Sequence, residues 1–218
     1  MAISLVQHSD HRCFRKFILA GLLALLTASA VAQDDVNKIE FDLHVNQKFV
    51  SCVGVSGGPT PTAHVAVKRG KFADTLTIVG DNFRPKLAFD MFTIQRSNLR
   101  SDGSVDPNFT NFGLAWYQSD LQASAQGHFS ASIKTILLDQ IFGFDPDVSL
   151  SPLNTFHVGF WFNDPNDANK NGCTFDTTHP TPFNGEHKAG PVAMISVPDA
   201  NTGLGPLCTN PEGGSCNP

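Results

Sequence analysis

The chain reads as all-β, an antiparallel β-sandwich with long loops, on three observations. Short stretches alternate apolar and polar residues, dipeptides with strong turn chemistry separate them, and no long run after residue 32 repeats with a 3.6-residue period. Side chains on a strand point alternately to its two faces, so alternation marks a strand with one dry side and one wet side.

The first 32 residues stand apart from that pattern. Arg12, Arg15 and Lys16 precede an apolar run over residues 17–26, and the small triplet Ala30-Val31-Ala32 follows. A basic start, a short apolar run and small residues at the cut site are the ingredients of a secretory leader, here cut before Gln33. The run is shorter than the roughly 20 apolar residues that a membrane-spanning helix needs. The expected product is secreted or periplasmic and folds where cysteines oxidise. Residues 33–200 are expected as one β domain and residues 201–218 as an irregular tail closed by a disulfide.

Without the leader the chain carries 12 Lys and Arg against 19 Asp and Glu, a net charge of −7. An acidic chain with scattered basic residues argues against nucleic acid, anionic membranes and membrane insertion, because the first two select for clustered Lys and Arg. Lys68-Arg69-Gly70-Lys71 is the one local basic group and reads as a solvated hairpin end. Sixteen phenylalanines follow the leader, against Trp116, Trp161 and Tyr117. Phe offers burial without a polar handle, so this aromatic area is expected in a core rather than on a recognition surface.

Strand by strand, Ile39, Phe41, Leu43 and Val45 share one face and Lys38, Glu40, Asp42 and His44 the other. Further strands are expected over residues 48–55, 63–68, 74–79, 87–95, 112–119, 128–137, 156–162 and 191–197. Gly57-Gly58-Pro59, Arg69-Gly70, Asp102-Gly103, Gln126-Gly127, Asn171-Gly172 and Asn184-Gly185 supply the turns. Residues 112–119 and 128–137 read as the two arms of a hairpin. Residues 137–143 fit a single helical turn instead. Nine short strands suit a sandwich that is immunoglobulin-like in outline. The unit over residues 76–95, strand, Gly-x-x-Phe-x-Pro turn and strand, is similar to units of bacterial immunoglobulin-like modules.

Four cysteines follow the leader and permit three pairings. Cys208–Cys216 would close the Gly/Pro-rich tail, and Cys52–Cys173 would be a long-range staple. No C-x-x-C pair points to a thiolate metal site.

Three constellations could carry chemistry. In residues 155–164, alternation sends Phe156, Val158, Phe160 and Phe162 to the core and His157 and Trp161 to the other face, flanking Gly159. That notch, with Asn163 and Asp164 after it, could seat a ligand. The plainer reading packs Trp161 under a loop and lets His157 bond the backbone. Second, His157, His179, Glu186 and His187 offer imidazole and carboxylate ligands suited to a transition metal. Third, Asp167, Asn169 and Asn171, ahead of Gly172, match the first half of a calcium loop, but Thr178 stands where the loop's closing Glu belongs. Nucleophile elbows, cysteine dyads and phosphate-binding glycine loops are absent from the sequence. The chain therefore reads as a non-enzymatic binding or structural module for a protein or carbohydrate partner. The alternative is a small metal-binding protein or metalloenzyme using the His/Glu set.

Overall fold

The computed structural model describes residues 38–135, 155–178 and 189–208. Within them run β1 (Lys38–Val45), α1 (Val50–Val53), β2 (Thr62–Lys68), β3 (Asp74–Asp81), β4 (Ala88–Ile94) and β5 (Ala115–Gln122). They continue with β6 (Phe129–Thr135), β7 (Thr155–Phe162), α2 (Asp167–Lys170), β8 (Val192–Ile195) and β9 (Leu207–Cys208). No described helix is long and apolar enough to cross a membrane.

The all-β expectation holds, and the strands form one sheet in which a two-sheet sandwich is not evident. All the strands join one antiparallel sheet in the order β5-β4-β7-β8-β1-β2-β3-β6, with β9 added beside β7. The sheet curls until it is nearly closed, like a barrel. β1 makes the turn possible by serving two partners: Lys38 to Leu43 pair with β2, while His44 and Val45 pair with β8. The expected hairpin between residues 112–119 and 128–137 is also replaced. β5 pairs with β4 and β6 with β3, so two strands consecutive in the chain sit at opposite edges of the sheet. Their connection is pinned from below, since Phe83 N–H donates to the Gly127 carbonyl at 3.0 Å. Gly127 takes φ +76°, and a Cβ there would overlap the Phe83 backbone.

Residues 48–55 are not a strand. Phe49, Cys52 and Val53 are buried, an i, i+3, i+4 spacing that puts all three on one side of a helical turn. α1 forms there, with Cys52 and Val53 N–H groups both donating to the Phe49 carbonyl. Leu207–Cys208 contributes β9 within a tail expected to be irregular. Residues 137–143 lie outside the described set.

The sheet packs a core on each side of β7. One holds Phe83, Phe89, Phe129, Phe160 and Phe162, whose rings meet at edge-to-face and tilted angles with centroids 4.9–6.4 Å apart. That is the geometry the ring quadrupole favours. The second, smaller core holds Phe92, Ile94, Leu99, Trp161 and Ile195, with Phe112 against it. Every residue of β7 is consequently buried.

A disulfide ties Cys52 in α1 to Cys173 after α2, across 121 residues of chain. Cys208 is disulfide-bonded as well, and Cys216, its expected partner, lies outside the described residues. A cross-link over that span removes unfolded-state entropy equivalent to about 4–5 kcal/mol in the loop-closure treatment. Replacing both Cys52 and Cys173 with Ala is expected to lower the unfolding free energy by about that amount, read as a shifted denaturant midpoint against wild type. A change below 1 kcal/mol would mean the staple closes on a span already fixed in the unfolded chain.

Candidate functional site

The residues singled out in the sequence fall into four places. His157 is on β7, buried, with Nδ1 at 3.1 Å from the Ser196 carbonyl and 3.0 Å from the Ser196 hydroxyl. A carbonyl only accepts, so Nδ1 carries the hydrogen and donates it, which fixes the tautomer. The same hydroxyl accepts the Val158 N–H at 3.2 Å, tying β7 to the residue after β8. Burial pulls the imidazole down to about 4, against a partial lift from the Ser196 carbonyl. It is neutral at ordinary pH.

Trp161 is fully buried, edge-on to Phe92 and Phe112 at 5.4 and 5.0 Å between centroids. The indole is a core element beneath the loop that carries Phe112. Asn163, one step past β7, donates from Nδ2 to Asp90 Oδ1 at 2.7 Å. That contact holds a carboxylate only 1% exposed in the middle of β4. The Arg84 guanidinium donates to the carbonyls of Ser51 and Cys52 in α1. Asp120 lies across from Asp90 on β5 and accepts the Tyr117 hydroxyl at 2.7 Å. Burial first, and Asp120 second, push the Tyr117 phenol up so that it stays protonated.

The would-be calcium loop is internally satisfied. Asp167–Lys170 forms α2, and Lys170 Nζ sits 2.6 Å from Asp164 Oδ2 and 3.1 Å from Asp167 Oδ1. Asn169 bonds the Phe175 backbone with both side-chain ends, and Asn171 donates to the Asp167 carbonyl. The Lys170 hydrogen bond is the largest influence holding the Asp164 carboxyl below its usual range. The Lys170 ammonium supplies the positive charge that the Asp164 and Asp167 carboxylates face here. Among the described residues no group of three His, Cys, Asp or Glu converges as metal ligands. His179, Glu186 and His187 lie outside those residues.

The feature that sequence reasoning missed is a cleft of about 600 Å³ where β4 ends and β7 begins. Gln95, Thr155 and His157 line it from the sheet, and two loops, residues 96–110 and 198–205, supply the remaining lining. Both loops are held open by their own bonds. Gln95 Oε1 accepts the Leu114 N–H, and Asp106 N–H donates to the Asn98 carbonyl. Asp102 and Asp106 cap turns through Ser104 and Asn108. Across the cleft, Asp199 Oδ1 accepts from the Asn201 and Thr202 N–H groups and the Thr202 hydroxyl, which holds that carboxyl below its usual range. Gly205 N–H donates to Thr155 Oγ1 at 3.2 Å and lies so close to β7 that a Cβ would overlap the Phe156 carbonyl.

The lining mixes charge signs, guanidiniums from Arg96 and Arg100 and carboxylates from Asp106 and Asp199, with Phe109 and Leu204 as apolar surface. Arg100 Nε is 3.7 Å from Asp106, while among the described residues Arg96 takes no ion-pair partner. The only signal in sequence was turn chemistry: Asp102-Gly103 on one side and Asp199-Ala-Asn-Thr-Gly203 on the other. No family model, curated protein or solved structure matches the chain.

The unfolded chain binds a proton at the His157 imidazole near pH 6.5, whereas the folded chain takes it up only near 4. Stability from neutral His157 is therefore complete above about pH 6.5 and is lost as pH falls towards 4, by about 3 kcal/mol. His157→Gln is expected to flatten that part of the pH–stability curve, and parallel wild-type and variant curves between pH 7 and 4 would contradict it. For α2, added calcium is expected to leave the unfolding midpoint unmoved in wild type. Calcium stabilisation that Asp167→Ala removes would refute the Lys170 account.

Proposed function

We propose that the protein is an exported, disulfide-stapled binding module that takes a polar, uncharged or zwitterionic small ligand, a saccharide above all, into the cleft lined by His157. The observation that supports this reading is the cleft itself: roomy, built from loops fixed by their own hydrogen bonds, and lined by planar polar side chains beside one aromatic ring. Pre-formed walls lose little conformational entropy on binding. Arg96, Arg100, Asp106 and Asn108 offer donors and acceptors at fixed spacing, which suits hydroxyl-rich ligands, and Phe109 offers a face for a sugar ring. Export rests on the leader-like residues 1–32, and oxidised cysteines are compatible with it.

Nothing in the cleft has the form of a hydrolytic machine. His157, its nearest approach to a general base, donates its Nδ1 hydrogen to Ser196 and is held neutral by burial. This supports binding over catalysis. The metal-protein alternative rests on His179, Glu186 and His187.

The test is a screen of mono- and disaccharides by amide chemical-shift perturbation, with metal content measured on the same sample. Shifts confined to residues 95–110 and 198–205, reduced at least tenfold in affinity by Arg96→Ala or Phe109→Ala, are the expected result. Shifts elsewhere, or none with any sugar, would remove the saccharide reading. Near-stoichiometric zinc, copper or iron, lost in His187→Ala, would turn the assignment to the metal alternative.

A further inference from the structure

The sheet register gathers lysines that the sequence keeps apart. Lys38 is directly opposite Lys68 across β1 and β2, Lys68 is opposite Thr75 across β2 and β3, and Thr75 is opposite Lys134 across β3 and β6. Directly opposed residues share a face, so Lys38, Lys68 and Lys134 form one exposed row across four strands. Lys71 stands on the adjoining β2–β3 turn. Four of the eight lysines after residue 32 therefore meet at one end of an otherwise acidic protein. Lys38 and Lys68 oppose each other as like charges, an arrangement that costs stability unless something negative relieves it. Among the described residues, Glu40 pairs with the row, 2.6 Å from Lys38.

The same turn projects an aromatic ring. Phe72 is 85% exposed, the most exposed large apolar side chain among the described residues. Its turn is not loose: Arg69 Nε and Gly70 N–H both donate to Asp74 Oδ1, and the Arg69 and Asp74 side chains are 7% and 2% exposed. Lys71 Nζ lies 5.2 Å from the centre of the Phe72 ring. A rigid tip thus presents one apolar wedge beside ammonium groups.

We propose that this end of the sheet docks on an anionic membrane surface, with Phe72 entering the headgroup–acyl boundary and Lys38, Lys68, Lys71 and Lys134 facing acidic lipid headgroups. The lysine row alone would suit any polyanion. Phe72 decides for lipid, because an interface rewards an exposed apolar ring and cations together, whereas a soluble polyanion gives the ring nothing. The expectation from sequence, that this acidic chain avoids anionic membranes, rested on scattered basic residues. β-Sheet register undoes the scatter. The residues involved are none of those lining the His157 cleft, so this docking stands or falls independently of the ligand reading.

The experiment is co-sedimentation of the processed chain, purified from the exported fraction, with vesicles of phosphatidylglycerol and phosphatidylcholine, and with phosphatidylcholine alone. Binding to the anionic vesicles only, weakening with salt, is the expected result. Lys38→Gln, Lys68→Gln and Lys134→Gln together are expected to lower the partition coefficient roughly 100-fold, and Phe72→Ser roughly tenfold. All four side chains are exposed, and an unfolding midpoint no lower than wild type for each variant confirms an intact fold. No binding to anionic vesicles overturns the proposal, as does binding that all these substitutions leave unchanged. Lysine-dependent binding that ignores Phe72→Ser and is competed by dextran sulfate would also overturn it, in favour of a soluble polyanion.

Discussion

Burial of β7 on both faces is the constraint on which the rest of this structure depends. A strand covered on both sides must satisfy every polar group it carries without water. Its phenylalanines do this trivially on one face. On the other, Thr155 takes the Gly205 N–H and His157 is bonded to Ser196, so β7 is held to the segments after β8 and before β9 by side chains as well as by its ladders. Gly159 is the next residue on that face, where a Cβ would crowd Ile195 and the Met194 carbonyl. The notch that alternation finds around Gly159 is filled by the neighbouring strand.

From this strand the two cores diverge in use. The phenylalanine core on the inside of the curled sheet holds the strands together. The smaller core under Trp161 holds down the loop that follows β4, and that loop becomes one wall of the cleft. The shape of the cleft and the packing of the core are thereby coupled through Phe92, Phe112 and Trp161, which do not line the cleft themselves. The charged residues are arranged with similar economy. Asp164 and Asp167 share Lys170, His64 has Asp42 and His128 has Asp81 as exposed partners, and Asp74 holds Arg69.

What could be read from the sequence was whatever one strand encodes about itself. Apolar patterning located eight of the strands, because each has at least one face in a core. It mistook residues 48–55, where three apolar residues at helical spacing sit among β-favouring neighbours and the disulfide at Cys52 fixes the turn. Which strand pairs with which is not written in alternation. A sandwich and a curled single sheet demand the same inward and outward pattern, and the tight turn at Gln126-Gly127 resembles a hairpin while joining strands that pair elsewhere. The candidate site failed to show for a related reason. Arg96, Asp106, His157 and Asp199 come from three separate segments, so no spacing relates them, and each segment taken alone shows only turn chemistry or strand alternation.

The placing of β5 and β6 has a further consequence. An open sheet exposes two edges, and unpaired edges invite pairing with another chain. Here the two edges are consecutive in the polypeptide, tethered by residues 123–128. A tether that short keeps each edge at a high effective concentration beside the other, so that a transient opening is met first from within the same molecule. The chain thus protects its least finished seam by covalent connectivity, with no need for the seam to be sealed by a complete ladder of hydrogen bonds.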